Sequence, residues 1–311
     1  MAALRQRWES FWFEPAGPLN LGLCRMLFFG ALFLFYLPHD FSAWGTVSDV
    51  FWQPLSLFRR LHLKIFPEQQ LEIIQLLWKA ALVLSCVGLF TPVSVGTSFL
   101  LGIYLLGLPH NFGKVHHADA ILVFAFGILA FSYCGDSCSL DRWIGTRRSR
   151  RAPPKTTARV SAEYTWPIRT IWLAMASVFF AAGWSKIRQS GMAWISSDQL
   201  RILLLQHNYY VSDSEPLTAW GLTVTQYPGV CHLLAAATMA IEISYPLALF
   251  SRTARRIIVP AALSMLVAIR LLMGPGFEAL MICHIFWVPW NRVFARLRGS
   301  QTLPAPATER A

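Results

Sequence analysis

Phe179-Phe-Ala-Ala-Gly-Trp-Ser-Lys-Ile-Arg-Gln-Ser-Gly-Met-Ala-Trp194 is the stretch from which the rest of the chain is read. An apolar run of membrane-span character begins near Ile168 and narrows to Ala181, Ala182 and Gly183. It then meets Lys186, held between Trp184 and Trp194. Small residues let helices approach closely in lipid, and an ionisable group at that depth is a functional candidate. The competing reading is a lysine that snorkels to water from a helix end, with the tryptophans forming an interfacial belt.

The wider composition agrees with a span. Of 311 residues, 55% are hydrophobic and 14% charged, and the mean hydropathy is +0.45. These values exclude an ordinary soluble domain and point to an all-α, polytopic membrane bundle of about eight transmembrane helices. The predicted spans are 19–37, 71–90, 93–109, 118–133, 168–184, 231–250, 257–272 and 277–289; the fourth and eighth are short. Residues 1–18, with Trp8, Phe11, Trp12 and Phe13, read as an interfacial amphipathic N-terminus. Residues 19–290 form the transmembrane domain and 291–311 a cytoplasmic tail. The first apolar run is span-length and reads as a span rather than a cleavable signal.

The net charge of +11 is explained by where the basic residues lie, without nucleic acid. With the N-terminus inside, 17 Lys and Arg fall on the inner side and 7 on the outer, while Arg25, Lys79 and Arg270 sit within spans. This bias orients the chain in a cell membrane with both termini cytoplasmic. Arg147, Arg148, Arg150, Arg151 and Lys155 lie in a solvated inner loop that can also touch anionic membrane lipids.

Arg25, about two turns into the first span, needs a carboxylate, a carbonyl or a ligand anion, unless it snorkels to the inner headgroups. Between spans three and four, His116 and His117 precede Asp119 at a helix start. They offer a base or proton relay, and Asp119 a helix cap. Orientation puts this cluster and Lys186 on the same outer face. Residues 194–205 are apolar enough to roof a cavity above Lys186. In span six, Pro246 has no N–H to bond the carbonyl of Glu242, so one position offers a carboxylate and a freed carbonyl. Glu242 is expected to face the bundle and pair with Arg25, Arg270 or a ligand. The six cysteines form no disulfide framework, and no local set of ligands describes a metal site. No P-loop, dinucleotide fingerprint, HExxH or GxSxG is present.

Several motifs together resemble the vitamin K-dependent γ-carboxylase-like, or horizontally transferred transmembrane (HTTM), family. They are Leu21-Gly-Leu-Cys-Arg25, Val115-His-His-Ala-Asp119, Cys134-Gly-Asp-Ser-Cys-Ser-Leu-Asp-Arg-Trp143, Ala182 to Trp194, Glu242 to Pro246 and Gly274 to Phe277. In the family's carboxylases a membrane-buried lysine acts in the oxidation of reduced vitamin K. The resulting strong base removes a glutamate γ-proton and carbon dioxide traps the carbanion. The resemblance carries the lysine onto Lys186 and the family's histidine onto His117 as catalytic residues. His116, Arg25, Trp184, Glu242 and Arg270 are the candidates for ligand binding. The resemblance implies a reduced vitamin K-type lipid quinone as cofactor and an exported peptide as a partner, with lyase and quinone-epoxidase chemistry. An apolar pocket would leave such a lysine neutral and able to accept a proton. Ser185 departs from the animal carboxylases, which have a second lysine there, and those enzymes carry a large extramembrane domain not expected here. The alternative is a non-enzymatic maturation or partner factor for an exported peptide.

Topology is directly testable. Cysteines introduced at 147–155 are expected to resist impermeant labelling in intact cells, and outer-loop cysteines to react. Labelling of 147–155 from outside would reverse the orientation.

Overall fold

The computed structural model describes residues 2–113, 119–148, 160–210, 219–274 and 276–297. Among these, the regular structure is helical, apart from one isolated antiparallel bridge between Ala16 and Ser161. In chain order the helices are α1 (Ala2–Phe13), α2 (Leu19–Tyr36), α3 (Ser56–Arg60), α4 (Glu68–Val87), α5 (Thr91–Gly107), α6 (Ala120–Ala130), α7 (Leu140–Arg148) and α8 (Trp166–Ser190). They continue with α9 (Ala193–Ser196), α10 (Gln199–Tyr210), α11 (Ala219–Thr225), α12 (Pro228–Ser244), α13 (Leu247–Phe250), α14 (Arg252–Met273), α15 (Glu278–Cys283) and α16 (Trp290–Leu297).

Five segments are long and apolar enough to cross a membrane: Leu19–Tyr36, Glu68–Val87, Thr91–Asn111, Ala162–Ser190 and Arg252–Met273. The other three expected spans correspond to shorter apolar helices. The sixth is broken because Pro246 cannot continue the hydrogen-bond ladder, so α12 stops at Ser244 and α13 restarts at Leu247. Beside the boundary expected at 290/291, α16 begins at Trp290. That helix runs to Leu297, and residues 298–311 lie outside the described residues. Arg150, Arg151 and Lys155 also lie outside them.

The centre is aromatic. Phe28 and Phe29 on α2, Phe126 on α6 and Phe286 after α15 are wholly buried, with ring centroids 5.2 to 5.7 Å apart where they meet. Facing outwards are Leu34, Leu76, Leu100 and Phe124, an apolar coat suited to lipid. Between helices in lipid, close packing and hydrogen bonds replace the hydrophobic driving force.

Arg25 ties the first half together. Its side chain is wholly buried and donates only to backbone carbonyls: Nε to Cys134 at 3.1 Å, Nη2 to Cys138 at 2.5 Å, and Nη1 to Ser85 and to Cys86 (3.3 Å). Two of these are orphan carbonyls at the C-terminal end of α4, where the last turn lacks intrahelical donors and a cation is favoured. Of the partners considered for Arg25, the carbonyl is the one present. Four of its five N–H donors are thereby engaged by backbone, which makes Arg25 first a fastening between α2, α4 and the 134–138 segment.

Glycine makes that knot possible. Gly88 ends α4 with φ +71°, and a Cβ there would lie 2.5 Å from Ser139 Cβ and 2.7 Å from Arg25 Nη1. Gly22 lets the backbone of Ser137 approach α2, where a Cβ would come 2.4 Å from its carbonyl oxygen. Asp141 closes the next helix start, accepting from the Phe90 and Thr91 amides at 2.8 and 2.7 Å and from the Thr91 hydroxyl at 2.8 Å. Partial burial raises the Asp141 carboxyl, but those donors outweigh it and hold it below its ordinary pKa.

Gly88→Ala is expected to cost more than about 2 kcal/mol, combining left-handed strain with overpacking. Gly96→Ala, also in the bundle but with nothing within 4 Å of its Cβ position, is expected to be neutral or stabilising by up to about 1 kcal/mol. Thermal unfolding of both variants in detergent checks this; equal effects would refute the knot.

Candidate functional site

Glu242 faces inwards as expected, but its partner is Lys186 and neither arginine. Lys186 Nζ lies 2.5 and 2.6 Å from the two carboxylate oxygens. The carboxylate side chain is 7% exposed and the lysine 19%. Such short contacts to both oxygens are charge-assisted hydrogen bonds, the strong class. Lys186 is therefore half of an ion pair and not an isolated amine in an apolar pocket.

The sequence around Gly183 explains the meeting. Lys186 and Gly183 are three residues apart on α8 and so share a face. A Cβ at Gly183 would lie 2.9 Å from Glu242 Cβ and 3.0 Å from Ile243 Cδ1. The missing side chain lets α8 and α12 come close enough for the lysine to reach across, which is the small-residue packing the stretch implied. Trp194 in α9 covers the pair, with its ring centroid 5.3 Å from Lys186 Nζ. Its buried indole N–H has no hydrogen-bond partner among the described residues. Of the expected roof, 194–205, Trp194 is the residue whose ring lies against Lys186.

Below the pair lies an aromatic stack that was not among the expected site residues. Tyr245, one turn after Glu242, stacks on Phe179 of α8 at 4.1 Å and 13°. Its hydroxyl is 3.4 Å from His284 Nε2, while His284 Nδ1 is 2.7 Å from the Leu280 carbonyl. A carbonyl only accepts, so Nδ1 carries the proton and Nε2 accepts from Tyr245. The i, i+3 spacing of Glu242 and Tyr245 was a usable signal for a shared face.

The remaining expected site residues disperse. Trp184 is 53% exposed on the outside of α8, stacked on Phe180, because two residues along a helix turn it away from Lys186. Trp194 takes the place foreseen for it. Arg270 donates to the Gly274 carbonyl and lies 3.7 Å from Glu278, so it holds the turn between α14 and α15 and not Glu242. Arg25 belongs to the carbonyl knot. His116 and His117 lie outside the described residues. Asp119 occupies the position before α6 without capping it; its oxygens meet the Tyr36 hydroxyl at 3.3 Å and His110 Nε2 at 3.9 Å.

With this geometry in hand, comparison with protein families, characterised proteins and solved structures returned no match.

Lys186→Met strands a buried carboxylate and is expected to destabilise the chain by about 3–5 kcal/mol. Adding Glu242→Gln is expected to restore much of that loss, since the uncompensated charge goes too. Additive losses in the double variant would mean the two residues are not coupled.

Proposed function

We propose that the chain is an eight-span bundle of the cell membrane, with both termini cytoplasmic, whose Lys186–Glu242 pair is a proton-handling site acting on a reduced lipid quinone. The observation that carries this reading is the lysine held bidentately by a buried carboxylate under an aromatic cover, 2.5 and 2.6 Å away. Support also comes from the resemblance of residues 19–290 to the γ-carboxylase-like family and from the inside–outside charge bias.

The residues at the pair suit a quinone headgroup. An ammonium has three donors and Glu242 engages two; Trp194 adds a ring face and an N–H without a partner among the described residues. When bound, a reduced quinone supplies an oxidisable ring and phenolic protons. Lys186 and Trp194 are the residues that would hold it. Between themselves, Lys186 Nζ and the Glu242 carboxylate can pass a proton. With that proton on Glu242, Nζ has a lone pair free to accept another, the requirement for a general base. Modification of an exported peptide is the downstream reaction the resemblance implies.

A second reading has its own observation. Both carboxylate oxygens are engaged by one lysine across two helices, which is also the form of a structural clamp. On that reading the chain is a membrane maturation or partner factor for an exported peptide.

Turnover of a reduced naphthoquinone by the full chain separates them. Lys186→Ala and Lys186→Arg are both expected to lose at least about 100-fold, because arginine keeps its charge and cannot serve as the base. Full turnover in Lys186→Arg would leave only the clamp, as would absence of turnover in the wild type.

A further inference from the structure

At the end of the bundle where α2, α8, α14 and α16 begin lies a cavity of about 570 Å³. Arg169 and Lys186 are 17 positions apart on α8, about 25 Å along the helix, so the cavity is distinct from the ion-pair site. Arg169, Arg252, Arg255, Arg256 and Arg292 line it, against Glu14 as the one carboxylate among the described lining residues. Glu14 is 60% exposed and lies 3.5 Å from Arg169.

Two guanidinium groups share one indole here. Arg169 Cζ is 4.4 Å and Arg255 Cζ 4.2 Å from the Trp172 ring, which itself stacks on Trp287 at 4.3 Å. Cation–π contacts and the carbonyls of Ala248 and Leu249, to which Arg255 donates at 2.9 and 3.1 Å, fix these like charges near one another. Four helices begin at this end and add the partial positive charge of their N-termini, although Ser251 already caps the Ala254 amide of α14 at 3.2 Å. Repelling cations that are stacked in place, with one solvated counter-charge, are a preorganised anion site.

We propose that this cavity binds a phosphate-bearing anion, presented by a lipid headgroup or by a small phosphate in solution. The volume falls within the range of small-ligand sites, about 300–1,000 Å³, and planar guanidinium groups match phosphate oxygens bidentately. The proposal stands independently of the quinone reading.

The test uses the full chain in phosphatidylcholine nanodiscs doped with phosphatidylglycerol, with native mass spectrometry counting retained phosphatidylglycerol. Wild type is expected to retain at least about tenfold more than Arg252→Gln/Arg256→Gln. Arg59→Gln/Arg60→Gln, which removes two exposed charges on α3, is expected to match wild type. In detergent, sodium phosphate is compared with sodium chloride at equal ionic strength by thermal shift on wild type alone, an arm that needs no variant to fold. Arginine-dependent retention identifies a lipid headgroup. Selective stabilisation by phosphate without such retention identifies a soluble phosphate. If retention is unchanged by the Gln pair and phosphate does no more than chloride, the proposal is overturned.

Discussion

A buried guanidinium answered only by backbone is the constraint on which the first half of this fold depends. Arg25 reaches from α2 to the open end of α4 and to the segment from Cys134 to Cys138. Those carbonyls would otherwise lack donors where there is little water to supply them, a cost of about 1–3 kcal/mol for each buried group. The arginine in turn would be an unpaired charge. Each side satisfies the other, and the geometry is admissible only because Gly22 and Gly88 carry no Cβ. Packing, charge and backbone conformation are therefore not separable at this end of the bundle.

The second half is joined by a different device. Where Gly183 removes bulk between α8 and α12, two ionisable side chains meet and neutralise each other. A buried pair of this kind is weak as a source of stability, because desolvation offsets much of the attraction. Stability alone therefore gives little reason for the pair, and it joins the Arg25 knot as one of the buried charged contacts between helices. The Phe179–Tyr245 stack and the His284 tautomer below it hold α8, α12 and the segment after α15 in register.

Much of the helical layout was legible in the sequence, because long apolar runs and helix-breaking prolines leave local signals. The break at Pro246, the inward face of Glu242 and the close approach at Gly183 followed from a missing proline N–H, the cost of a lone carboxylate in lipid and a run of small residues. Partner identity did not. Helical period states which way Glu242 points but not that a lysine 56 residues earlier, rather than Arg25 or Arg270, will meet it. Backbone carbonyls have no sequence signature, so the four that engage Arg25 were invisible as a set. Trp184 and Trp194 were indistinguishable as flanking aromatics until the turn at Gly191, with φ +55°, brought only the second back over Lys186. The arginine cavity escaped notice because its residues come from four stretches of chain that were read as separate contributions to inner-side charge.

The central claim is that the Lys186–Glu242 pair exchanges a proton when a reduced quinone is present. Infrared difference spectroscopy of the full chain on adding a reduced naphthoquinone tests it most directly. The account predicts loss of a carboxylate band and gain of a protonated-carboxyl band, both absent in Glu242→Gln. An unchanged Glu242 carboxylate with quinone bound would contradict it and leave the pair as a fastening between two helices.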